Sequence, residues 1–104
     1  MPSHQQLGAK IDEIVAEMRR LGIWESRPPP KEAMDFKKAF GADTMIFTQW
    51  LQFVFIPNVG ALVQSGGKLP GSSSVGTMAI REFDGQTQLV RLESLLCEFD
   101  GMFR

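Results

Sequence analysis

The chain is expected to fold as an all-α protein, a small antiparallel helical bundle of about four helices around a central apolar helix with a proline bend. Three observations predict this. Apolar residues recur at three- and four-residue spacing near both ends of the chain, no charged residue occurs between Asp43 and Lys68, and the intervening segments are rich in Pro, Gly and Ser. At 104 residues the chain suffices for one domain, residues 1–104, with one continuous core.

The first helix is expected over residues 3–21. Leu7, Ile11, Ile14, Val15, Met18 and Leu21 form its apolar stripe, and Lys10, Glu13, Glu17 and Arg20 are assigned to the opposite side. Ser3 with Gln6 three residues on matches a capping box, and Gly22 suits the left-handed position that ends a helix. Next, Pro28, Pro29 and Pro30 remove successive N–H donors and favour an extended connector. Residues 31–40 fit a short helix, with Met34, Phe36 and Phe40 apolar, that stops at Gly41.

Asp43 or Thr44 is placed to cap the central helix. From Met45 to Ile56 that helix has almost no polar face, so it belongs in the middle of the bundle. Beyond Pro57 the apolar spacing resumes with Val59, Leu62 and Val63, and the helix is expected to continue with a bend as far as Gly66-Gly67. An interior proline costs about 3 kcal/mol, which packing must offset. Residues 66–76 read as loop and residues 77–83 as a short helix, punctuated by Asp84-Gly85. The last helix starts near Thr87, carries the stripe Leu89, Leu92, Leu96, Phe99 and Phe103, and leaves Arg91, Glu93, Glu98 and Asp100 largely off it. Asp43 and Asp84 are read as capping residues.

Composition limits function. Eleven basic and twelve acidic residues give a net charge of −1, and neither half of the chain is basic, so no phosphate-tracking surface and no direct nucleic-acid binding are expected. One cysteine, Cys97, and one histidine, His4, supply neither a disulfide nor a zinc site, and the residues indicate no metal and no cofactor. The charged N-terminal stretch does not fit a signal peptide, so a cytoplasmic location is expected. The uncharged run is interrupted by Thr48, Gln49, Gln52, Pro57, Asn58 and Gln64 and lacks flanking Lys or Arg clusters. It is therefore read as a buried helix and not a membrane span.

The string Asp43-Thr-Met45, Phe47 and Trp50-Leu-Gln-Phe-Val-Phe-Ile-Pro57 resembles the signature of the YqcC-like family, small bacterial proteins of unknown function. Trp24, the proline-rich connector, Leu69-Pro70 and a leucine-rich last helix fit the same pattern across nearly the whole chain. The resemblance implies an all-α bundle of the bacterial cytoplasm and, more loosely, a gene that neighbours a tRNA pseudouridine synthase. It implies no activity. Asn58 stands where the family commonly has a basic residue, and Ser73-Ser-Val-Gly-Thr-Met78 replaces a more acidic, proline-bearing segment.

Two sets of residues are candidate sites. Gln49, Trp50, Gln52, Phe53, Pro57 and Asn58 would line a ligand pocket if the proline frees the Phe53 carbonyl, although core packing with satisfied amides is the preferred reading of this cluster. Met34, Phe36, Phe40 and Met45 would form a docking surface, because six Met and eight Phe exceed what a small core needs. Catalysis finds no support, since His4 sits near the terminus and Cys97 lies beside no cation. The function expected is a non-enzymatic accessory or protein-interaction module, with a protein partner or self-association, and a tRNA pseudouridine synthase as one such partner. A small-molecule-binding bundle, or an accessory to tRNA pseudouridine modification, is the alternative.

Overall fold

The computed structural model describes residues 2–38, 40 and 45–103, and among them all regular structure is helical. The caps assigned to Asp43 or Thr44 and the stop at Gly41 lie outside the described residues. The first helix, His4–Arg20, is built as its ends require. Ser3 Oγ accepts the Gln6 N–H at 3.0 Å, while Gln6 Oε1 accepts the Ser3 N–H at 2.8 Å. At the other end Gly22, at φ 74°, turns the chain so that its N–H donates to the Arg19 carbonyl and that of Ile23 to the Met18 carbonyl. Two otherwise unpaired carbonyls are thereby satisfied.

In place of the short helix expected over residues 31–40 there is only a 3₁₀ turn, Lys31–Met34. Asp35 leaves helical geometry at φ −93°, ψ 47°, and Phe40 stands in the left-handed region at φ 58°. The proline connector just upstream supplies no preceding turn on which a helix could propagate.

The central helix spans residues 47–65 in three parts: α-helix at Phe47–Trp50, one wide π turn at Leu51–Phe55, and α-helix again at Ile56–Ser65. The Ile56 N–H reaches five residues back to the Leu51 carbonyl. In a regular α-helix the Pro57 ring collides with the carbonyl of Phe53. The expected irregularity at the proline takes the form of this π turn just ahead of it, and the helix runs on without a break. It ends at Gly66, φ 68°.

The third helix, Val75–Glu82, begins two residues earlier than the spacing suggests. A 3₁₀ turn, Thr87–Leu89, leads into the last helix, Val90–Gly101. Asp84 lies in the turn between them, whose helix-entry position is Gln86, so Asp84 is not at a helix start.

Neighbouring helices run antiparallel. His4 at the start of the first helix meets Gly67 just past the end of the central one, and Glu25 beyond the first helix meets Gln52. Lys10 pairs with Glu98, and one face further along Glu17 feels the charge of Arg91. The core between them is apolar, with Leu7, Ile14, Met18, Leu51, Leu92, Leu95 and Leu96 fully buried. At about 25 cal/mol per Å² of apolar surface, such burial is the main stabilising term.

Two polar residues lie where the spacing does not put them. Glu17, assigned to the solvent side, is 7% exposed. It is three residues from Ile14 and beside Met18 on the same helical face, and its carboxylate is held there by Arg20. Asp100, also read as off the buried stripe, is 3% exposed. It accepts from Ser73 Oγ at 2.6 Å, the Gly76 N–H at 2.7 Å and the Thr77 N–H at 3.3 Å. No side chain at Ser74 caps the third helix, so a carboxylate from the last helix performs that task from across the interface.

Candidate functional site

None of the six residues of the first candidate set lines the cavity at the entry to the central helix. Gln52, buried, accepts the Glu25 N–H at 2.8 Å and donates to the Glu25 carbonyl at 2.7 Å. Gln49 Oε1 accepts the Ile46 N–H at 3.1 Å, and its Nε2 lies 3.4 Å from Glu25 Oε1. Both amides thus tie the connector after the first helix to the start of the central helix. Trp50 is half-buried among rings, stacked on Phe47 at 6.0 Å and on Phe55 at 5.7 Å, with the Phe40 edge 4.9 Å away. Phe53 is half-buried, and Pro57 and Asn58 are exposed on the outer side of the helix.

The aromatic contacts continue as one chain. Phe47 meets Phe83 at 5.6 Å, Phe55 meets Phe99 at 5.0 Å, and Phe99 meets Phe103 at 5.3 Å. Edge-to-face and offset pairs of this kind add about 0.5–1.5 kcal/mol each beyond the area they bury. Much of the phenylalanine excess noted in the sequence is therefore spent inside, in a seam joining the central, third and last helices.

The second candidate set divides. Met34 is 40% exposed on the 3₁₀ turn and Phe36 is half-buried. Phe40 and Met45 line a cavity of about 460 Å³ at the entry to the central helix. Its apolar wall is completed by Ile46, Phe47, Phe83 and Leu89, and its polar groups are Thr48, Glu82 and Gln86. This volume falls in the range of small binding sites, and a mostly apolar wall with a few polar groups is their usual make-up. Ile46 is 64% exposed at its edge.

Sequence reasoning identified Phe40 and Met45 but not the other wall. Asp84-Gly85 marks a break after the helix expected over residues 77–83, yet nothing in the spacing pairs that break with Met45–Thr48. The pairing arises from the antiparallel return of the chain and the Phe47–Phe83 contact.

Two ion pairs outside the cavity tie charged groups into the structure. The hydrogen bond from Lys10 holds the Glu98 carboxyl below the usual glutamate range and raises Lys10 in turn. Arg20 does the same to Glu17 and is itself raised. His4 Nε2 lies 2.7 Å from the Gly67 carbonyl, so this residue is docked and not frayed. Among the described residues no three His, Cys, Asp or Glu side chains converge to hold a metal ion. No helix among them is long and apolar enough to cross a membrane.

An all-α bundle with a proline-adjacent π turn and a signature running through it agrees with the family comparison. The chain belongs to the DUF446 family, the YqcC-like proteins, whose model matches residues 6–102 and carries the description tRNA pseudouridine synthase C. An uncharacterized protein of Haemophilus influenzae is 35% identical over 83 residues, covering 77% of this chain and 78% of that one. The uncharacterized protein YqcC of Escherichia coli is 27% identical over 106 residues, covering 99% and 95%. A tRNA pseudouridine synthase C from Pectobacterium carotovorum is 35% identical over 72 residues, which are 69% of this chain and only 19% of that protein. The solution NMR structure of Escherichia coli YqcC superposes with a TM-score of 0.86 at 24% identity, covering 99% of this chain and 89% of that one, and shares the fold.

Proposed function

We propose that the chain is a non-enzymatic accessory module that binds a tRNA pseudouridine synthase and supports its work on tRNA without contacting the RNA itself. One observation carries this reading. In the Pectobacterium relative a segment similar to this chain fills 19% of a longer protein named tRNA pseudouridine synthase C. A domain joined to an enzyme in one chain acts at a high effective concentration on it, and a separate copy needs a binding surface to do the same. The near-neutral charge favours a protein partner over the tRNA phosphates. The same reading places the protein in the cytoplasm, where tRNA is modified.

The test is titration of the purified chain into the tRNA pseudouridine synthase C encoded in the same genome, followed by calorimetry. A saturable 1:1 complex, with tRNA affinity residing in the synthase alone, is the expected outcome. Failure of the two proteins to associate, or salt-sensitive binding of bare tRNA by this chain, overturns it.

A further inference from the structure

We infer that the cavity at the entry to the central helix is where the synthase docks, by inserting one apolar side chain that is followed or preceded by a Lys or Arg. This rests on the accessory reading and specifies its surface.

The argument starts from the wall. Phe40, Phe47 and Phe83 present ring surface and Met45 a polarizable thioether, so the interior of the 460 Å³ space accepts an apolar group. Phe47, Phe83 and Met45 are held in the core and do not need to move. The space is thus formed before anything enters it, which spares an occupant the cost of ordering it.

The charge of the wall selects the occupant further. Glu82 is the one formally charged side chain lining the cavity among the described residues, it is exposed, and no ion pair involving it is formed there. Aromatic faces carry negative potential as well, so a cation near Glu82 is attracted by both. Thr48 offers a hydroxyl to a peptide main chain, and Gln86, whose Nε2 donates to the Glu82 carbonyl at 3.3 Å, offers its amide oxygen. A purely apolar small molecule would answer neither Glu82 nor Thr48; a peptide segment with an apolar anchor and an adjacent base answers both. Ile46, 64% exposed at the edge, extends the apolar contact beyond the cavity. A tRNA-modifying enzyme must carry basic residues on its surface to hold phosphates, so segments of this kind are available on it.

The experiment compares the full chain with Glu82→Lys, Ile46→Asp and, as a control on an exposed face of the first helix, Asp12→Lys, each titrated into the same synthase. All three altered side chains are exposed, so the fold should be retained, and circular dichroism melts check this. Expected is a loss of about tenfold or more in affinity for Glu82→Lys and for Ile46→Asp, with Asp12→Lys unchanged. Wild-type affinity should fall with added salt, and less steeply for Glu82→Gln. If the wild type binds and both cavity variants bind equally well, the docking site lies elsewhere and the inference fails while the accessory role stands. Loss with Ile46→Asp alone overturns the basic half of the occupant. No binding by the wild type removes the accessory role itself.

Discussion

Gln52 holds Glu25 by both of its main-chain groups, accepting the N–H at 2.8 Å and donating to the carbonyl at 2.7 Å. A buried side-chain amide here takes the place of a neighbouring strand, and it fixes where the proline connector leaves the first helix. Gln52→Leu removes both bonds and leaves two partly buried backbone groups to find water. A loss of about 1–3 kcal/mol is expected in urea melts. Gln52→Glu keeps the acceptor but loses the donor at neutral pH, so it should be at least as damaging at pH 7 and partly recover in acid.

Gly76 is required by the contact between the third and last helices. A methyl group there would sit 2.6 Å from Cys97 Cα and 2.7 Å from its backbone N, with Asp100 Oδ2 at 2.9 Å. Backbone atoms cannot rotate aside, so Gly76→Ala should force the helices apart at a cost of about 1–3 kcal/mol, in spite of the better helix propensity of alanine. Chemical denaturation of the purified variant checks this.

Asp100→Ala should cost about 2–3 kcal/mol, because it removes a carboxylate that accepts three hydrogen bonds at the start of the third helix. Asp100→Asn, which retains an acceptor, should lose less. Hydrogen exchange at the Gly76 and Thr77 amides separates local fraying of that helix from global unfolding.

Acid should destabilise the protein in part through Glu17. Its bond to Arg20 depresses the folded-state pKa, so the bond's contribution is complete above the ordinary glutamate value, about 4.3, and is lost as pH falls through the lower folded value. Glu98 behaves in the same direction through Lys10 but is more exposed and more screened. In melts from pH 7 to pH 3, Glu17→Gln should start less stable and decline less steeply than the wild type.

Trp50→Ala should cost about 3–4 kcal/mol. The ring is half-buried, but it touches Phe40, Phe47 and Phe55 and so links the two arms of the aromatic seam. Thermal melts of the pair measure it.

How much of this could be read from residues alone depends on how local the cause is. The first helix was legible at both ends because Ser3, Gln6 and Gly22 act within a few residues of themselves. The last helix was legible because Leu89, Leu92, Leu96 and Phe99 repeat on one face. Glu17 and Asp100 were misplaced because a charged residue is ordinarily solvated, and only tertiary structure reveals the Arg20 clasp and the helix end that Asp100 serves. The role of Gln52 depends on Glu25, 27 residues away. Of the cavity, the half contributed by Phe40 and Met45 came from composition. The half contributed by Glu82, Phe83 and Gln86 is set by how the chain folds back, which no periodicity encodes.

The π turn at Leu51–Phe55 makes the central helix a geared shaft. Each residue of an α-helix advances the side chains by about 100°, and the wide turn takes up one residue without adding that rotation, so the two halves stay in phase. With it in place, Phe47 and Trp50 on one side, and Phe55 and Val59 on the other, all pack into the same core. Deleting any single residue from 51–55 would let the helix close into regular α geometry and keep its two halves close to their present phase, but it would bring the Pro57 ring against the carbonyl four residues before it. Relief of that collision is what the extra residue supplies, so a one-residue gap there should cost about 3 kcal/mol in denaturant melts, the usual penalty of an interior proline.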